Sequence, residues 1–297
     1  MAKYGTYADL GEFRTRLGIT DTDDDTMLLH LLESVSRAVD RYCRRHFYVM
    51  TEARYLDGDA GVMQVVDRYT ERVSAYLSRL WVADLLAVTS IKMDGDQDAV
   101  YEDTLAATDY ILWPYVGYPK MRVDLDLRQG DYSYWYRGQK AIEITADWGY
   151  GNGDAASPVA ASGATVTVAD AIATTVTVSD HSLLEPGQTI LVGSERMYVR
   201  TVVDGDPNDS ATVYRGVNGS TGAVQAGAAA SIYGVPDAVR EAVLIGGAKL
   251  WKRKDTAFAT VVSSPELGQI EVMRGVLRDV DVVGLLSPYR RRLVGAV

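Results

Sequence analysis

Three aspartates at alternate positions, Asp94, Asp96 and Asp98 in the run DGDQD, imitate the start of a calcium-binding loop. Such a loop needs glycine at its sixth position for a sharp turn and a bidentate glutamate at its twelfth. Those places hold Ala99 and Leu105, so a solvated turn is the better reading. Asp204, Asp206 and Asn208 fail the same way, with Asp209 and Arg215 at the two positions. The glycine-rich run Gly216–Gly222 is not followed by GK[ST] and cannot cradle phosphates as a Walker loop does. The single cysteine, Cys43, lies three residues before His46. A thiol–imidazole dyad needs an orienting third group and a pocket, and the sequence indicates neither. Cys43 falls on an apolar helical face and reads as a small buried hydrophobe. No catalytic set, cofactor motif or metal-ligand spacing emerges. What remains is cationic: Arg41, Arg44 and Arg45 near one helix end, Lys249–Lys254 near another, and Arg290, Arg291 and Arg292 near the C-terminus. The first two groups suit helix C-termini, where the dipole favours positive charge. The third reads either as a basic tail or as an arm that docks on an acidic neighbour.

The elements that would position these residues fall into blocks. Asp9–Leu17 predicts a short helix closed by Gly18. Asp23, Asp24 and Asp25 then offer capping oxygens to a longer helix, whose residues Leu28, Leu31, Leu32, Val35, Ala38, Val39, Tyr42 and Cys43 share one face. Between Tyr48 and Gly149 the period changes to two, with strands expected at Met63–Val66, Val88–Met93, Tyr110–Leu112, Met121–Leu127 and Ala141–Ala146. Gly151–Gly163, rich in Gly, Ala and Ser, reads as a linker. Short Thr/Val-rich runs follow, at Thr165–Val168, Thr175–Val178, Thr189–Val192, Met197–Val203 and Ala211–Tyr214. They predict an all-β module of about 75 residues. Helix returns at Val235 with Pro236 at its first position. The expected fold is α+β: a small α-helical bundle core with β-strands or a hairpin, plus an inserted all-β barrel or sandwich. Residues 1–155 and 235–297 would form one discontinuous domain around an insert at 156–234, with the helical ends packed together.

Composition narrows the function classes. The 297 residues are 47% hydrophobic and 24% charged, enough for a buried core. No apolar stretch approaches the roughly 20 residues that span a bilayer, and the N-terminus lacks an apolar signal core. A soluble protein made in the cytoplasm and without a membrane partner is expected. A net charge of −10 argues against a general DNA-wrapping protein, since phosphate neutralisation supplies that affinity. It suits a surface past which DNA slides. The 19 tyrosines, against 3 phenylalanines, suit surfaces covered by partner chains.

Several segments resemble the head–tail connector adaptors of tailed double-stranded DNA phages. They are Tyr7–Leu10 with Arg16–Ile19, Leu28–Cys43 followed by Arg45–Phe47, Leu85–Lys92, Ala107–Tyr110 and Ile144–Tyr150, then Pro236–Val243, Ala248–Arg253 and Leu285–Arg291. The resemblance spans residues 1–150 and 235–297. Thr175–Ser179, Pro186–Ile190, Ser194–Val199 and Tyr214–Gly219 resemble a β module that recurs in virion proteins, an insert that compact adaptors lack. The resemblance implies a structural virion protein rather than an enzyme, with no cofactor. It implies a homo-oligomeric ring, typically of twelve copies, beneath the portal protein. The ring would extend the channel for double-stranded DNA, without sequence-specific binding, and seat a stopper, tail-terminator or tail tube protein. It further implies portal docking by the tail, here Leu285, Leu286, Pro288, Tyr289, Arg290, Arg291 and Arg292. For contacts between subunits, the residues themselves suggest Tyr132, Tyr134 and Tyr136, which alternate onto one face, and the small Ala242, Gly246 and Gly247. Two other readings stay open: a neighbouring neck or tail-terminator ring protein, and a surface- or glycan-binding virion protein acting through the β module.

Overall fold

In the first helix, α1 (Leu10–Leu17), Leu10 and Phe13 turn inward, and Gly18 closes it in a left-handed conformation, donating back to the Arg14 and Thr15 carbonyls. The computed structural model describes residues 5–58, 78–253 and 279–291, with the backbone of four short strands at 65–66, 73–74, 261–264 and 268–271. Helix α2 (Asp25–Cys43) buries Leu28, Leu29, Leu32, Val35, Ser36, Val39 and Cys43; of the predicted face Leu31, Ala38 and Tyr42 are only half-buried, and Leu29 and Ser36 join the core unforeseen. Helix α3 (Asp237–Lys252) begins one residue later than expected, with Pro236 at the cap. Helix α4 (Val280–Leu286) is capped by Asp279, which accepts from the Asp281 and Val282 amides. Helix α3 packs against α1, α2 and α4, so the two ends of the chain do meet in one helical bundle.

The chain divides into two units, residues 1–48 with 158–297, and residues 49–157. The second is built on an antiparallel sheet. Its strands are β1 (Met50–Leu56), β4 (Arg79–Met93), β5 (Asp103–Thr104), β6 (Tyr110–Trp113), β7 (Lys120–Leu125) and β8 (Ile142–Trp148). The order is β1-β8-β4-β7-β6, with β5 added beside β4. A separate pair, β2 (Val65–Val66) and β3 (Val73–Ser74), also belongs here. The sequence shows only the end of β4, because the strand shifts register between Trp81 and Leu85 and again twice beyond, so its alternation is broken. Asp84 sits at the first shift with φ 46°, and its carbonyl accepts from the Gly149 amide at 2.7 Å. The strand expected at Met63–Val66 lies partly outside the described residues; its second half, Val65–Val66, is extended.

The first unit contains the β module, a closed six-stranded antiparallel barrel. It comprises β9 (Val159–Val168), β10 (Thr175–Val178), β11 (Thr189–Val192), β12 (Glu195–Val203), β13 (Asp209–Tyr214) and β14 (Gln225–Tyr233), in the order β10-β13-β12-β11-β14-β9. Inward residues alternate along each strand: Val166 and Val168, Val176 and Val178, Ile190 and Val192, Met197 and Val199, Ala211 and Val213. Two expectations need correcting. The stretch read as a linker ends inside β9, and β14 was not foreseen. Both segments are rich in Ala, Gly and Ser, which have low strand propensity, and pairing along both edges imposes the extended form. A further pair, β15 (Val261–Ser264) and β16 (Gly268–Glu271), follows α3.

The barrel is seated on α1 and α2. Pro186 and Gly187, read from sequence as a plain turn, offer carbonyls to the Leu10 amide at 3.2 Å and the Thr6 amide at 3.1 Å. Gln188 donates to Asp9 at 3.1 Å, and the buried Tyr198 donates its hydroxyl to Glu33 at 2.8 Å. Burial, with Glu33 beside it, pushes the Tyr198 hydroxyl well above its ordinary range.

Candidate interaction surfaces

The C-terminal segment does not extend as an arm within the described residues. Leu286 is fully buried and Leu285 half-buried. The next three residues form a 3-10 turn, Ser287–Tyr289. The Tyr289 ring meets Phe47 edge-on with centroids 5.9 Å apart. The Arg290 guanidinium lies 5.5 Å from the centre of the Tyr42 ring, and the Arg291 amide donates to the Cys43 carbonyl at 2.8 Å. That last bond satisfies one of the carbonyls left open at the end of α2. Pro288 and Arg290 are exposed, and Arg292 lies outside the described residues.

Behind this surface sits a buried polar group. The Tyr7 hydroxyl donates to Asp40 at 2.5 Å and accepts from the Phe47 amide at 3.0 Å, while Arg37 reaches Asp40 at 3.3 Å. Burial raises the Asp40 carboxyl to about 6 despite the opposing Arg37 charge.

The three tyrosines are neighbours, although their segment is not a strand. Tyr136 lies 6.4 Å from Tyr132 and 6.0 Å from Tyr134, centroid to centroid. The Tyr136 hydroxyl donates to Asp103 at 2.6 Å, which with burial holds it up at about 12. Tyr132 and Tyr136 lean on the core of the sheet unit, and Tyr134, 52% exposed, is the ring of the three left most open at the surface. Trp135 between them points inward and is buried. Ala242, Gly246 and Gly247 are all buried within the chain. A Cβ on Gly247 would stand 2.9 Å from the Phe13 ring, so this glycine lets α1 and α3 approach.

Helices α1 and α2 lie in the part of the chain that comparison with known proteins recognises. Residues 7–78 match the family model of the phage gp6-like head-tail connector protein. The match takes in α1, α2 and β1 to β3 and stops just before β4. No curated protein and no solved structure matches the chain. Similarity to a head-tail connector supports a structural role in the virion, and among the described residues no helix is long and apolar enough to cross a membrane.

The residues that imitate chemistry have structural work in this chain. Burial, and then Asp40, pushes the Cys43 thiol up to about 12, far from a thiolate at neutral pH. His46 Nδ1 is 2.9 Å from the Tyr48 carbonyl oxygen. Asp94 accepts from the Gln97 and Ala99 amides at 2.7 and 2.9 Å, fixing the turn read from sequence as solvated. Asp209 accepts from the His181 amide, the His181 ring and the Gly205 amide, which lowers its carboxyl to about 2. Sequence reasoning missed the pair Glu195 and Arg215, because the two lie 20 positions apart, at the start of β12 and in the loop after β13. Arg215 meets Glu195 through two nitrogens at 2.6 Å and also donates to the carbonyls of Asp170, Ala173 and Ala223. Glu195 in turn accepts from the Gly216 and Ala223 amides. This network ties the loops at one end of the barrel.

Proposed function

We propose that the chain is a head–tail connector adaptor: it forms a ring beneath the portal protein, extends the DNA channel, and seats a stopper, tail-terminator or tail tube protein. The family match over α1 and α2 carries this reading. It is supported by the bundle that joins the matched helices to α3 and α4 from the other end of the sequence. A closed ring requires heterologous contacts, in which two different flanks of each copy meet. We assign one such contact to the exposed Tyr134, and the portal contact to Leu285 and Pro288, since Leu286 and Tyr289 are used within the chain. Twelve copies are expected by analogy with adaptors. Ala242, Gly246 and Gly247 are spent on internal packing and we give them no further role.

The test is a cryo-electron reconstruction of the neck of virions carrying this protein. A ring of this chain directly below the portal is the expected result. Placement in a sixfold tail ring, or as a peripheral spike, would sink the reading.

A further inference from the structure

The folding of the C-terminal segment onto α2 creates a surface that neither segment carries alone. Arg41, Arg44 and Arg290 are exposed and Arg291 is half-buried, all at the C-terminal end of α2. Among the described residues, no carboxylate lies within ion-pair distance of these four arginines, although the chain has 40 acidic residues. Residues 41–51 and 282–297 contain six arginines and no acid, in a protein of net charge −10. The helix dipole accounts for Arg41, which lies in the last turn. It does not require Arg290 and Arg291, which arrive from the far end of the sequence.

A second observation concerns the backbone. Arg44 caps α2 in the left-handed conformation, φ 56° and ψ 35°. That position ordinarily selects glycine or asparagine, because a larger side chain there is strained. The exposed arginine there carries a backbone cost that glycine would avoid, and its guanidinium is free of the helix's own packing. The third observation separates two classes of partner. Protein interfaces are anchored by apolar or aromatic side chains. None of the large exposed apolar residues lies within 41–48 or 289–291; the neighbouring Leu285 and Pro288 are given to the portal, and Tyr42 and Tyr289 are engaged by Arg290 and Phe47. A polar, all-arginine surface without such an anchor fits a phosphodiester backbone, which guanidinium groups recognise in bidentate fashion.

We propose that Arg41, Arg44, Arg290 and Arg291 form a sequence-independent binding surface for the phosphate backbone of double-stranded DNA. The identity of the polyanion rests on the connector reading; the surface itself does not. Contact must be weak, because the rest of the chain is acidic and repels the duplex.

The experiment is fluorescence anisotropy of a short labelled DNA duplex titrated with the full chain at several salt concentrations. The expected result is binding at low salt, indifferent to sequence, with a log–log salt slope of about −4 for four phosphate contacts. Arg44→Gln and Arg290→Gln should each weaken binding and reduce the slope by about 1. Arg44→Gly should do the same while the chain stays folded by circular dichroism, since glycine suits that backbone. Absence of binding at low salt overturns the proposal, as does binding that these variants leave unchanged. Displacement of the duplex by polyglutamate at equal charge concentration also overturns it, by indicating an acidic protein partner. DNA binding by a chain found outside any neck ring would leave this surface standing and remove the adaptor reading alone.

Discussion

The barrel and the open sheet solve the same problem in different ways. Both are antiparallel and both bury one aliphatic layer by alternation. The barrel pairs every strand on both sides, so it presents no edge. Its loops are tied by the Glu195–Arg215 network, and its core is aliphatic except for one methionine. The sheet ends at β1 and β6 and needs aromatic bulk, with Trp135 and Trp148 in its core. Close to the β6 edge, Trp81 is 54% exposed, and the Arg122 guanidinium lies 5.4 Å from it and 4.9 Å from Trp113. Closure leaves the barrel no backbone edge to cover. An open sheet keeps surface in reserve for association.

The comparison breaks most readily at the buried ion pair. Glu195→Ala would leave the Arg215 charge, 7% exposed, without its partner. A loss of about 3–5 kcal/mol is expected in chemical denaturation. A loss below about 1 kcal/mol would mean that the network does not hold the barrel. In the sheet, Ile144→Ala empties a fully buried site between β1 and β4. It should cost about 2–5 kcal/mol, and a separate early unfolding transition would distinguish the sheet unit from the barrel.

A pH series sharpens the contrast between the barrel and its helical seat. The Asp40 carboxyl is raised to about 6, so the folded state holds a proton that the unfolded chain releases near its ordinary value. Its contribution is therefore complete below the unfolded value and lost as pH rises through about 6. The difference amounts to about 3 kcal/mol across that window. Asp40→Asn should flatten this part of the stability profile; an unchanged profile would contradict the assignment. The barrel's Asp209 behaves in the opposite sense, its stabilisation disappearing only as pH falls towards about 2. The smallest effect is expected at the sheet edge. Trp81→Ser should leave stability within about 0.5 kcal/mol and lower self-association in sedimentation velocity. Equal association of the variant and the parent would remove the edge from the list of assembly surfaces.

Much of the architecture was legible in residue order. Most of the face of α2, the Gly18 stop, the barrel's Thr/Val alternation and the turn at the DGDQD run all depend on near neighbours. Such features are set by spacing, caps and turn chemistry, which a linear reading captures. Strands β1 and β14, and the first half of β4, were not legible. Their extended form comes from partners distant in sequence, and bulges erase the period that would have revealed them. The same holds for function. Six arginines could be counted from the sequence, and each group had an ordinary explanation. Only the tertiary structure laid Arg290 on Tyr42 and bonded Arg291 to Cys43, turning two separate basic segments into one surface. Local pattern determines which elements form, but contacts between distant segments arise from burial of the whole chain, and no short stretch of sequence encodes them.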